Sequence, residues 1–158
     1  MFRKMRRFRQ EISKEECIEV LKNEKRGVLS ILGEDGYPYG IPLNHWFCEE
    51  DGRLYFHGAK EGKKIDSIAL NDKASYCVYD KGYCKPGEWS LNVKSIILFG
   101  RIKPVTDENR ARKICTELVR KFIDDEEYLE EELKKSFGRV QCLEFIPEHM
   151  SGKLVNES

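Results

Sequence analysis

The chain has 158 residues, 40% hydrophobic and 35% charged, and its 28 basic and 28 acidic side chains cancel to a formal charge of zero. That length fits one compact domain (1–158), and the balanced charge argues against a polyanion such as nucleic acid as partner of the whole molecule. No apolar run approaches the roughly 18 residues of a membrane span, the longest being Ser95-Ile96-Ile97-Leu98-Phe99, so a soluble, cytoplasmic protein without membrane contact is expected.

Charge is uneven along the chain. Arg3, Lys4, Arg6, Arg7 and Arg9 crowd a basic leader (1–12), which lacks the serine-rich amphipathic run of a transit peptide and is read as mature sequence. Six cysteines, at 17, 48, 77, 84, 115 and 142, form no CxxC pair, so buried free thiols are expected in place of zinc or a disulfide framework. The three histidines show no HxH or HExxH spacing, and no metal site is expected.

Residues 13–25 open the ordered chain as an amphipathic helix, with Ser13 as N-cap and Glu16 three positions on as a capping box. Val28 to Leu32 reads as a strand that turns at Asp35-Gly36, a hairpin signal, into a second strand from Tyr39 to Phe47. Another turn, at Asp51-Gly52, leads into a third strand, Arg53–His57, so the first three strands are expected to form an antiparallel meander.

The next stretch carries the chemistry. Leu54-Tyr55-Phe56-His57-Gly58-Ala59-Lys60-Glu61-Gly62-Lys63-Lys64-Ile65 is an apolar strand, a small-residue turn and two adjacent cations at the mouth of a helix, Lys63 to Leu70. Backbone N–H groups, a helix dipole and lysines at one point suit a phosphate dianion. Taken alone, a Gly-Lys-Lys turn is also what a solvated surface turn looks like. Lysine acts as a mobile point charge, and of the two, Lys64 is the expected phosphate contact.

A fourth strand follows at Ala74–Tyr79, then an irregular loop, Lys81 to Trp89, which offers itself as a cover over a substrate and holds Cys84, the expected reactive thiol. Val93 to Val105 reads as the fifth strand, Glu108–Ile123 as a helix capped by Asp107, the acidic segment through Lys135 as another helix, and Arg139 to Ile146 as the sixth strand before a tail (147–158). His149, in that tail, is expected to face solvent. Six short strands with tight turns and few helices favour a mainly β, six-stranded antiparallel split β-barrel with peripheral helices, since closure removes exposed edges. A doubly wound sheet is excluded by strands that arrive without helices between them.

The ordered motifs Met5-Arg6-Arg7, Gly27-Val28-Leu29-Ser30, Asp35-Gly36-Tyr37-Pro38-Tyr39, Ile41-Pro42-Leu43-Asn44, Leu54 to Lys64 and Ser95 to Arg101 resemble the pyridoxamine 5′-phosphate oxidase-like FMN-binding split barrels, specifically their nitroimidazole-resistance branch. The resemblance spans roughly residues 5–153. It implies an FMN-dependent oxidoreductase acting on a small electron-poor molecule through flavin N5, built as a homodimer with each flavin at the subunit interface. Carried over, Ile41, Pro42, Leu43 and Asn44 border the flavin ring; His57, Gly58 and Ala59 lie near the ribityl chain, with His57 as the candidate catalytic group; Lys63 and Lys64 hold the phosphate; and Lys153 reaches the cofactor from the tail. The resemblance leaves a second reading, a non-catalytic flavin- or haem-binding protein for storage, sensing or delivery. No C-terminal tryptophan and arginine pattern for gripping a pyridoxal substrate is present, so oxidation of vitamin B6 itself is not expected. No GxGxxG fingerprint occurs, so a nicotinamide electron donor would dock only transiently.

Overall fold

A computed structural model describes residues 1–158. Seven strands, β1 (Arg26–Leu32), β2 (Pro38–Asn44), β3 (Trp46–Cys48), β4 (Arg53–Ala59), β5 (Lys73–Tyr79), β6 (Asn92–Pro104) and β7 (Val140–Asn156), form one antiparallel sheet in the order β2-β1-β5-β6-β7-β4-β3. Around it lie helices α1 (Lys14–Asn23), α2 (Lys63–Leu70), α3 (Glu108–Arg120) and α4 (Glu126–Ser136). β2 and β3 stand at opposite ends of the strand order, yet His45 alone separates them in the chain. The sheet therefore curls until its edges meet, giving the expected antiparallel half-barrel with peripheral helices.

Two details of the expected layout change. The strand read as Tyr39–Phe47 breaks at His45 into two, which makes seven strands instead of six. The meander is split there: its two antiparallel pairings form, β1 with β2 and β3 with β4, but the hairpins stand at opposite ends of the strand order. The cause is His45 itself, fully buried at the seam. Its Nε2–H donates to the Leu21 carbonyl at 2.7 Å, and its Nδ1 lies 2.9 Å from the Tyr76 hydroxyl. Meeting both demands in the interior carries the chain across from one edge to the other. Burial, with the nearby Lys121 ammonium, pushes the His45 pKa down to about 4. Lys121 in turn donates to the Glu24 and His45 carbonyls at 2.7 Å each, and pins α3 to the seam.

β7 runs well past the expected stop at Ile146. Pro147, which has no N–H for the ladder, is accommodated by an irregularity opposite Phe99 and Gly100, after which β7 pairs with β6 as far as Asn156. The leader lies along this extension, with Ile12 N–H donating to the Gly152 carbonyl at 3.1 Å.

Alternation on the strands sorts side chains into two apolar layers. Leu29, Ile31, Leu54, Phe56, Tyr76, Ile96, Leu98 and Phe145 fill the barrel under α1 and α2, in a cluster of 16 buried residues. A smaller layer of seven, including Tyr55, Ile114, Cys115, Leu118 and Cys142, joins α3 to the outer face of β3, β4 and β7. Each fully buried large side chain contributes about 1.5–3 kcal/mol. Local signals fix the helix starts: the Ser13 and Glu16 capping box forms at α1, and Asp107 and Asp125 cap α3 and α4.

Candidate functional site

The site grows from the junction of β4 and α2. Gly62 begins the helix with φ of 117°, a conformation that L side chains rarely adopt, and gives it no side-chain cap. The first backbone N–H groups of α2 thus lack the carboxylate or hydroxyl partner that the other three helices have. Burial of Ile68 and the half-burial of Ile65 hold this helix on the core, and the Ser67 hydroxyl ties it to the hairpin by accepting from Glu34 N–H at 3.3 Å.

The two adjacent lysines have different fates. Lys63 Nζ donates to Asp35 Oδ2 at 2.7 Å and lies 5.0 Å from the Tyr39 ring centroid. That carboxylate raises the Lys63 pKa, and Lys63 lowers that of Asp35. Lys64 has no acidic partner, is half-buried, and has its pKa lowered by burial alone. Its ammonium lies over Gly58, where an added Cβ would come within 2.5 Å of Nζ. The bare backbone of Gly58 is thus what admits the cation.

β2 supplies the neighbouring wall. The side chains of Ile41 and Leu43 pack against the main core, Pro42 is exposed and Asn44 half-buried. β2 hydrogen-bonds to β1 on one side only, so the backbone groups on its other edge have no partner in the sheet. Through Tyr39 and Lys63 this free edge borders the start of α2. The arrangement can bind an anion at α2 and offer backbone donors and acceptors to a flat polar ring along β2. Ala59, at the exposed end of β4, leaves the approach open.

Two residues expected beside this seat are elsewhere. His57 alternates with Gly58, so its ring points to the opposite face of β4, under α3, directly across from Cys142. Lys153 lies on β7 opposite Ser95, near Cys77 on the outer face of the sheet; burial pushes the Cys77 thiol up, and the Lys153 charge offsets this only in part. Within this chain neither His57 nor Lys153 joins Lys64. Clefts of 640, 540 and 480 Å³ lie away from Lys64; Lys153 lines the last, near the leader. The Lys64 seat is an open surface feature on a single chain.

Other features escaped the sequence reading. His149 is half-buried rather than exposed, 4.8 Å from the Phe2 ring in a stack with Phe99. Glu144, 1% exposed, receives Arg53 at 2.7 Å and Arg110 at 2.8 Å. Only its alternation with Leu143 and Phe145 gave any signal, by placing it on the α3 side. Cys84 is exposed and lies 3.7 Å from the Trp89 carbonyl. No helix is long and apolar enough to cross a membrane.

A half-barrel whose sheet edges meet at one residue, with a cation seat at the start of its second helix, defines a split-barrel protein. Residues 13–154 match the family model described as pyridoxamine 5′-phosphate oxidase, and the chain belongs to that family. The fold is similar to that of a candidate 5-nitroimidazole antibiotic resistance protein from Bacteroides thetaiotaomicron VPI-5482, at 19% identity over 92% of this chain and 87% of that one, with a TM-score of 0.74. It is also similar to a FAD-binding protein from Mesorhizobium loti, at 23% identity over 92% of this chain and 96% of that one, with a TM-score of 0.66. A FAD and heme binding protein from Mycobacterium smegmatis matches at 20% identity over 94% of this chain and 74% of that one, with a TM-score of 0.72. No curated protein matches the sequence.

Proposed function

We propose that this protein is an FMN-dependent oxidoreductase that reduces a small electron-poor molecule, such as a nitroaromatic, and works as a cytoplasmic homodimer with a flavin between subunits. The observation that carries the reading is Lys64: a half-buried ammonium without a carboxylate partner, held over a glycine at an uncapped helix start. One uncommitted cation suits a single terminal phosphate, which favours FMN over a dinucleotide. The family and the relatives described as FAD-binding support a flavin as the ligand.

When bound, a flavin supplies hydride transfer at its N5. The chain's own residues do the binding and orienting. Lys64 and the free amides of α2 hold the phosphate, and the unpaired edge of β2 along Ile41 to Asn44 hydrogen-bonds the polar rim of the ring. Lys63, engaged with Asp35, supports the seat through the hairpin. The openness of the seat favours a second copy as its other wall, and Lys153 and the exposed face carrying Ile97 and Phe99 are the groups such a copy would bring.

Spectra of the purified protein test this reading. Bands in the near ultraviolet and blue, bleached anaerobically by NAD(P)H and restored by a nitroimidazole, are expected; colourless protein that takes up no flavin refutes it. Light scattering after size exclusion is expected to give twice the chain mass. A second reading, a flavin or haem carrier without turnover, gains from the turn of His57 away from Lys64, which leaves no histidine of this protomer at the seat. A Soret band, or bound flavin that is reduced but not reoxidised by any nitro compound, would favour it.

A further inference from the structure

The layer between α3 and the sheet holds an arrangement that flavin binding does not use. Cys115, on α3, and Cys142, on β7, place their sulfurs 3.5 Å apart. They are 4% and 2% exposed, while His57 beside them is half-buried and forms the side of the group nearest solvent. His57 stands directly opposite Cys142 in the β4 and β7 register, so both face α3 from the same side of the sheet.

We propose that Cys115 and Cys142 form a redox-active dithiol that peroxides close to a disulfide between α3 and β7, with His57 accepting the first proton. The geometry supplies the parts of such a reaction: two thiols from separate elements in contact, and a base beside them. Cys115 is the attacking group. Its pKa is drawn down first by the hydrogen bond from Cys142, then by His57, while the shared proton and burial push Cys142 up.

The Cys115 thiolate attacks the peroxide ROOH. The O–O bond breaks, Cys115 becomes a sulfenic acid, and ROH leaves with the proton that His57 had taken. The Cys142 sulfur then attacks the Cys115 sulfur. The S–O bond breaks, the S–S bond forms, and the hydroxyl leaves as water with the Cys142 proton. Two thiols lose two electrons, and the peroxide gains them. In the second step Cys115 no longer carries charge, which removes one of the causes that had pushed Cys142 up. The bond would close the loop holding the end of α3 and all of α4 against the sheet. Nothing in this chemistry depends on a flavin.

The test uses the purified full chain, as isolated and after removal of any cofactor. It is treated with hydrogen peroxide or with dithiothreitol, then denatured, alkylated and digested for mass spectrometry. The expected result in both preparations is a cross-linked peptide pair containing Cys115 and Cys142, lighter by two hydrogens than the reduced pair and restored by dithiothreitol. Cys17, Cys48, Cys77 and Cys84 remain alkylated. His57→Gln is expected to slow closure at least tenfold while leaving the same end product. Equal alkylation of Cys115 and Cys142 before and after peroxide overturns the proposal, as does a link through Cys48 or Cys84, or oxidation of either thiol to sulfinic acid without closure. Unchanged closure in His57→Gln overturns the role of the histidine.

Discussion

Replacing Lys64 by alanine is the most informative perturbation, because its neighbour in sequence serves as the control. Lys64 has already lost part of its water shell to burial and has no acidic partner to give up when a phosphate arrives. A charge-assisted hydrogen bond from such a group contributes about 1.5–3 kcal/mol, so Lys64→Ala is expected to weaken FMN binding roughly 10- to 150-fold. Lys63 must leave or share Asp35, 2.7 Å away on an exposed surface, to reach the same oxygens. Exposed pairs of this kind exchange for little, so Lys63→Ala is expected to change affinity less than about fivefold. Quenching of flavin fluorescence, titrated at several salt concentrations, gives both numbers. The difference should persist at high salt, because a half-buried cation is screened less than an exposed one. Equal losses for the two variants, or a larger loss for Lys63→Ala, would refute the assignment of the phosphate to Lys64.

Gly58→Ala places a methyl group within 2.5 Å of Lys64 Nζ, and since the obstructed atom ends a flexible side chain, the fold should tolerate it while the ammonium moves away. FMN affinity should fall at least about tenfold with little change in the thermal midpoint, and unaltered binding would remove Gly58 from the seat. His45 makes stability depend on pH. Its folded pKa of about 4 lies below the ordinary 6.5, so the unfolded chain takes up a proton first as pH falls. About 3 kcal/mol of stability, present above pH 6.5, should be lost on the way down to pH 4; proton resonances showing His45 titrating near 6.5 would contradict this. Glu144→Gln leaves Arg53 and Arg110 without their shared carboxylate, but both arginines are partly exposed and can rehydrate, so denaturant melts should show a loss of about 1–3 kcal/mol. No loss would mean that the network is a surface ornament.

Local chemistry was legible in the sequence wherever neighbours in the chain decide it. The capping box at Ser13 and Glu16, the turn at Asp35-Gly36 and the start of α2 at Lys63 all stand where their residue types place them. What could not be read was set by partners far along the chain. Tyr39 to Phe47 looks like one strand until Tyr76, 31 residues from His45, fixes the break. Arg53 and Arg110 lie 91 and 34 residues from Glu144. Lys64 is the expected phosphate contact on sequence alone, but the pairing that occupies its neighbour Lys63 comes from Asp35, 28 residues away. His57 reads as part of a cofactor motif, yet the period-two rule sends its ring to the face opposite Gly58, where α3, supplied by a later part of the chain, covers it.

The one-residue link between β2 and β3 restricts how this barrel can move. Consecutive Cα atoms are about 3.8 Å apart, so the ends of the two strands are leashed within about 7 Å. Like a zip fastened at its base, the cylinder cannot gape there without peeling a strand from its neighbour. Motion that admits a ligand is therefore to be sought away from this seam, in the loop between β5 and β6.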